Sequence, residues 1–180
     1  MNLPSIRAYD KERLLVLLIR RNIMNDIEMI VGELLVNKGL TISTAESCTG
    51  GLISATLVNY PGISAVLTHG IVTYSNEAKM QLLGVSQKTL ERYGAVSEET
   101  AREMVEGLIK LTGTRVGISV TGIAGPGGGS KEKPVGLVYT ALYIDGKIQV
   151  RKLNLSGNRQ EIRNKTVTAV LQWLRGELEW

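Results

Sequence analysis

The sequence predicts an α/β fold with three layers, α/β/α, in which helices cover both faces of a mixed sheet. Three observations carry that expectation. From Gly39 onward, short strand-like runs alternate with runs whose apolar residues recur at helical spacing, the pattern of strand-turn-helix units. Two strand-like runs, residues 135–144 and 147–155, are separated only by Asp145-Gly146, a pair that favours a two-residue hairpin and makes this part of the sheet antiparallel. A chain of 180 residues, 43% apolar and 21% charged, is large enough to bury one core.

Residues 1–23 differ in character from the rest of the chain and form an N-terminal extension, expected as an extended start or as a docking helix with Leu14, Leu15, Leu17 and Leu18 on its apolar face. The domain proper is expected over residues 24–180. Its first helix spans residues 26–37, followed by a strand at 41–44 and a Gly-Gly turn that feeds a helix through 52–59. A second strand at 66–74 runs into a helix at 76–83, which Gly84 ends. Ser97 caps the next helix: Glu98 and Glu99 suit its positive end, and Ala101, Met104, Val105 and Leu108 recur at helical spacing. A strand at 115–120 ends at Thr121, and the adjoining glycine-rich segment 122–130 is too irregular for either regular structure. After the hairpin, a helix over 158–174 closes the fold, apolar at Ile162, Val167, Val170, Leu171 and Leu174.

Composition excludes several functions. Residues 1–24 carry five basic and two acidic side chains, hence three of the four net positive charges. The remainder is nearly neutral, so there is no broad basic face for nucleic acid. Cys48 is the only cysteine, which rules out an internal disulfide and fits a reducing, cytoplasmic compartment. The apolar run 14–19 is far short of the roughly 20 residues that span a bilayer, and no cleavage pattern of a signal peptide comes after it. A soluble protein with no membrane partner is expected. One histidine and one cysteine at no recognisable spacing assemble no metal site.

Two loops lie where strands should end, Ala45-Glu-Ser-Cys-Thr-Gly-Gly51 and Thr121-Gly-Ile-Ala-Gly-Pro-Gly-Gly-Gly129. Ligands bind at such sheet edges, and the first loop leads into a helix whose N–H groups favour an anion. Neither is a Walker A loop, since Ser130-Lys131 reverses the required order. Nor is the first a nucleophile elbow, because Ala45 and Thr49 stand where glycines are needed. Ser47 is a candidate nucleophile, but a serine hydroxyl needs a base. His69 lies inside a strand, a position usual for packing or surface residues. Lys79 starts the helix after Tyr74 at the sheet edge, and a desolvated lysine loses its proton near neutral pH. Tyr74 is a candidate relay and Cys48 a rival nucleophile, with an inert buried thiol as the alternative. Arg159, or Arg163 one turn later, is placed to clamp a phosphate.

These motifs, with Val72-Thr-Tyr-Ser-Asn-Glu-Ala-Lys79, Gly94-Ala-Val-Ser-Glu-Glu-Thr-Ala-Arg102, Lys133-Pro-Val-Gly136 and Gly157-Asn-Arg159, resemble the CinA C-terminal domain family over about residues 25–175. The resemblance implies an α/β/α domain that hydrolyses the carboxamide of nicotinamide mononucleotide to nicotinate mononucleotide and ammonia, without metal or cofactor. It implies Ser47 as nucleophile, Lys79 as its base, Tyr74 as a hydrogen-bond partner, a hydroxyl from Thr121, and Arg159 on the phosphate. Thr49, Gly50, Gly51 and Gly122 are expected beside the substrate, with N–H groups around Thr49–Gly51 holding the oxyanion. A homo-oligomer, dimer or larger, is also implied. Many relatives carry a further N-terminal nucleotide-pyrophosphatase-like domain, and the expectation here is the stand-alone form. Asn158 stands where the family often has aspartate. The competing reading is a module that binds the nucleotide without hydrolysis, linked to competence or the DNA-damage response.

Overall fold

The computed structural model describes residues 26–179. The expected N-terminal extension, and its boundary at residue 24, lie outside the described residues. The elements run α1 (Ile27–Asn37), β1 (Ile42–Glu46), α2 (Leu52–Val58), a short 3-10 turn (Ile63–Ala65), β2 (Leu67–Val72), α3 (Asn76–Leu83), α4 (Gln87–Tyr93), α5 (Glu98–Thr112), β3 (Val116–Gly122), β4 (Leu137–Ile144), β5 (Lys147–Asn154) and α6 (Arg159–Leu178). The sheet order is β2-β1-β3-β4-β5. β1 is parallel to both its neighbours, whereas β4 is antiparallel to β3 and β5. This is the expected mixed sheet.

Side chains alternate across the pleat and so divide the core in two. Ile42, Val116, Ile118, Val120, Val138 and Leu142 face the layer built from α1, α2 and α6, meeting Val31, Leu35, Ile53, Leu57, Ile162 and Leu171. On the other face α5 lies across the sheet: Met104 and Leu108 meet Ala45, and Ala101 and Val105 meet Ala141. Ser119 donates to the Ala101 carbonyl at 2.6 Å, tying β3 to that helix. Among the described residues no helix is long and apolar enough to cross a membrane.

Several boundaries differ from the sequence expectation, each for a tertiary reason. β1 runs on to Glu46 because it is flanked on both sides: Ser47 N–H donates to Val120 O and Thr73 N–H to Glu46 O. The edge strand β2 is shorter than expected, and most of its residues are partly or fully exposed. Helix α4 is absent from the sequence expectation. Its sequence is largely polar, and a partner outside it holds its start: Glu103 of α5 accepts from Ser86 N–H and from the Thr89 hydroxyl. The hairpin forms as expected, with Asp145 and Gly146 both at positive φ, 45° and 97°, and Arg115 grips the Asp145 carboxylate with two nitrogens at 2.9 and 2.7 Å. Asn158 caps α6 in a reciprocal box with Glu161, so asparagine serves the role of aspartate there.

The end of α3 rests directly on α5. A Cβ placed on Gly107 would stand 1.8 Å from the Leu83 carbonyl oxygen. In an isolated helix, replacing glycine by alanine stabilises by about 1 kcal/mol. Here the backbone contact reverses the sign, and Gly107→Ala is expected to cost about 1–3 kcal/mol as a lowered urea midpoint. A midpoint equal to or above wild type would mean that α3 does not dock on Gly107.

Candidate active site

The site begins with how the chain leaves β1. Residues 47–51 make a tight turn before α2, and Gly50 and Gly51 take left-handed conformations, φ 61° and 92°, that side chains with a Cβ adopt only at a cost. Glu46 closes this turn from beneath. Its buried carboxylate accepts the N–H groups of Ile53 (3.0 Å) and Ser54 (2.9 Å) and the Ser54 hydroxyl (3.0 Å), with the Thr44 hydroxyl at 3.3 Å. A carboxylate on the first N–H groups of a helix satisfies them and complements the positive end of the helix dipole. The turn that carries Ser47 is thereby stapled at both ends.

Lys79 reaches the same point from α3. Ser75 caps that helix through Ala78 N–H, which places Lys79 one turn in and directs its side chain back over the strand ends. The residue is only 1% exposed. Its ammonium donates to Thr73 O at 2.8 Å, Ser47 Oγ at 3.1 Å and Ser75 O at 3.4 Å. Burial holds the lysine below its ordinary range, with the neighbouring Glu77 carboxylate acting partly against that shift. Burial pushes the Cys48 thiol up to about 12, so the sulfur stays protonated and the rival nucleophile is a packed, neutral side chain. His69 lies exposed on β2 with Nδ1 on the Thr68 hydroxyl, outside the site.

Ser47, Lys79, Tyr74, Thr121, Gly122 and Arg159 come together around one cleft of about 200 Å³. Cys48, Asn76, Ala95, Val96 and Ala124 complete its walls. Ser47 lies at its floor, 8% exposed. At the rim, Tyr74 is 62% exposed, and its hydroxyl accepts from Arg159 Nη2 at 2.9 Å while Arg159 Nη1 holds Gly125 O at 2.8 Å. The Thr121 hydroxyl donates to Ala95 O at 2.7 Å, leaving its lone pairs as acceptors. A larger groove, about 470 Å³ between α3 and α5, contains none of these residues.

Other candidates fall elsewhere. Thr49, Gly50 and Gly51 shape the turn and do not line the cleft. The Gly50 N–H is committed to Ser47 O at 3.0 Å, whereas the N–H groups of Cys48 and Thr49 meet no oxygen acceptor among the described residues and face the Cys48 sulfur, a weak acceptor. Arg163 turns away from the rim and holds Thr49 O with two nitrogens, at 2.7 and 3.3 Å. Sequence reasoning missed Glu46, because a carboxylate after a short strand reads as a solvated loop. It also missed Asn76, Ala95 and Val96 as cleft residues. Asn76 directly follows the Ser75 cap, the one local signal that was available.

Comparison with known proteins bears on the family and the fold. Residues 24–178 match the CinA C-terminal domain. Relatives named competence-damage inducible protein include one from Clostridium acetobutylicum, 61% identical over 152 residues, and one from Clostridium perfringens, 63% identical over 153 residues. Those matches cover 84% and 85% of this chain, which spans only 37% of the length of each of these curated relatives. Among solved structures, the competence/damage inducible protein CihA from Agrobacterium tumefaciens is 43% identical with a TM-score of 0.81, over 87% of this chain and 97% of that one. A CinA superfamily protein from Klebsiella pneumoniae is 34% identical with a TM-score of 0.82, over 86% and 97%.

The stapled turn makes a direct prediction. Glu46→Gln replaces one acceptor by an NH₂ group facing backbone donors, and a buried donor left without an acceptor costs about 1–3 kcal/mol. The urea midpoint is expected to fall accordingly. An unchanged midpoint would show that the carboxylate does not hold the turn.

Proposed function

The chain belongs to the CinA C-terminal domain family, and on that premise we propose that it hydrolyses the carboxamide of nicotinamide mononucleotide to nicotinate mononucleotide and ammonia. The observation that carries this reading is the contact of buried Lys79 Nζ with Ser47 Oγ at 3.1 Å, since a serine is made nucleophilic by a base that touches it.

In the proposed reaction the neutral Lys79 amine takes the Ser47 proton while Oγ bonds to the carboxamide carbon. Negative charge collects on the carbonyl oxygen, and the N–H groups of Cys48 and Thr49 are the donors assigned to it, a type of contact typically contributing about 3–4 kcal/mol. The C–N bond then breaks, and the departing nitrogen carries off the proton that Lys79 held, as ammonia. Water next attacks the acyl ester, giving up a proton through Lys79, and Ser47 is released with the carboxylic acid as product. Thr73 O and Ser75 O steady the ammonium formed in each half of the cycle.

The cleft fits the two ends of the substrate. The reacting pair lies at its floor, and Arg159 at its rim presents a planar fork suited to phosphate. That fork meets Gly125 O and Tyr74 Oη, two neutral acceptors that a phosphate dianion outcompetes. The Tyr74 hydroxyl only accepts from Arg159, so its own proton is there to donate to the bound nucleotide.

Ammonia release from nicotinamide mononucleotide in the presence of EDTA tests this reading. Ser47→Ala and Lys79→Ala are each expected to lower kcat/KM by at least about 10³-fold. Because burial lowers the Lys79 pKa, the neutral base persists to lower pH than an ordinary lysine would allow. The rate should therefore fall as pH drops through that lowered value, and an acid limb in the ordinary lysine range would count against Lys79. Nicotinamide riboside should react poorly. Mononucleotide binding without turnover would replace the enzyme by a binding module.

A further inference from the structure

We propose that Lys133 is a positioning residue that holds one wall of the cleft. The wall is the turn between α4 and α5, where Ala95 and Val96 face the site. Four successive carbonyls of this turn are taken by side chains. Lys133 Nζ donates to Tyr93 O at 2.5 Å and to Val96 O at 2.8 Å. Gly94 O accepts from the hydroxyls of Ser97 (3.1 Å) and Thr100 (2.8 Å), and Ala95 O accepts from Thr121. No backbone N–H among the described residues reaches any of the four.

A turn without ladder bonds has no intrinsic reason to keep its shape. Of its four tethers, the ammonium is the only one that spans the turn, joining its first carbonyl to its last. It is also charge-assisted, roughly twice as strong as a bond between neutral groups. Lys133 is itself fixed, since Lys133 N–H donates to Ser130 Oγ at 3.0 Å and Ser130 N–H to Lys133 O at 2.8 Å. It makes no ion pair with any described carboxylate. The ammonium thus ties the glycine-rich loop after β3 to the opposite wall and sets the width of the cleft. It does not line the cleft and takes no part in proton transfer, which runs through Lys79 on separate carbonyls.

The kinetic part of the test rests on the amidase reading, and the structural part does not. Lys133→Met keeps the apolar stem and removes the donors. The expected result is a KM for nicotinamide mononucleotide raised roughly tenfold with kcat within about threefold of wild type. Without substrate, amide exchange at Gly94, Thr100 and Ala101, whose N–H groups close the turn, should quicken roughly tenfold while Leu108 in the body of α5 is unchanged. Lys133→Arg retains two donors and should behave as wild type. A KM equal to wild type in the methionine variant, exchange that rises equally at Leu108, or an arginine variant as impaired as the methionine one would each overturn the proposal. If wild type releases no ammonia, localised exchange in Lys133→Met still upholds this role for Lys133 and only the amidase reading fails.

Discussion

The Glu46 carboxylate is the interaction on which the site depends. It stands at the end of β1, and its two oxygens reach past the turn to the first N–H groups of α2. A strand end and a helix start are thereby joined through one buried charged group, and residues 47–51 between them have little freedom left. Burying a carboxylate is unfavourable unless donors surround it, and here two backbone amides and the hydroxyls of Ser54 and Thr44 do so. Ser47 is placed by this arrangement as much as by its own contacts. Arg163 braces the turn from the outside through Thr49 O.

Lys79 is the second buried charge-bearing group, handled in the opposite way. Its neighbours at hydrogen-bond distance are neutral oxygens, with no carboxylate among them to hold the proton. Desolvation then lowers its pKa while the carbonyls keep the amine in place. Geometry and basicity come from one feature, the burial of a lysine in the first turn of α3. The position of that helical turn depends on the Ser75 cap and on the seat of Leu83 against Gly107. A buried, poorly compensated amine costs stability, and such groups concentrate at functional sites.

Side chains of opposite walls meet across this centre with few direct links. Arg159 joins Tyr74 at the end of β2 to the glycine-rich loop, and Lys133 joins that loop to the turn before α5. The loop therefore touches both sides of the cleft. Its glycines let the loop fold closely on its own return, where a Cβ on Gly125 or Gly129 would press on Val135.

Much of this was legible in the chain. Strand and helix alternation, the Asp145-Gly146 hairpin and the Ser97 cap are local signals, set by residues a few positions apart, and were read from the chain alone; the Ser75 cap and the Asn158–Glu161 box are equally local and emerged with the structure. The motifs carrying Ser47, Tyr74, Lys79, Thr121 and Arg159 were likewise visible as candidates. Three matters were left to tertiary structure. Lys79 is favoured over His69 as the candidate base for Ser47, but the contact itself, with Lys79 against Ser47 and His69 on an exposed edge, comes from the fold. Arg159 is preferred to Arg163, one turn later on α6, by resemblance alone, and packing sends the first to the rim and the second to Thr49 O. Glu46, Glu103 and Lys133 carry no local signal of their roles, and the fold alone gave them partners. The reason is physical: caps and turns are decided over a few residues, whereas desolvation and the capture of distant carbonyls depend on which elements the sheet brings together.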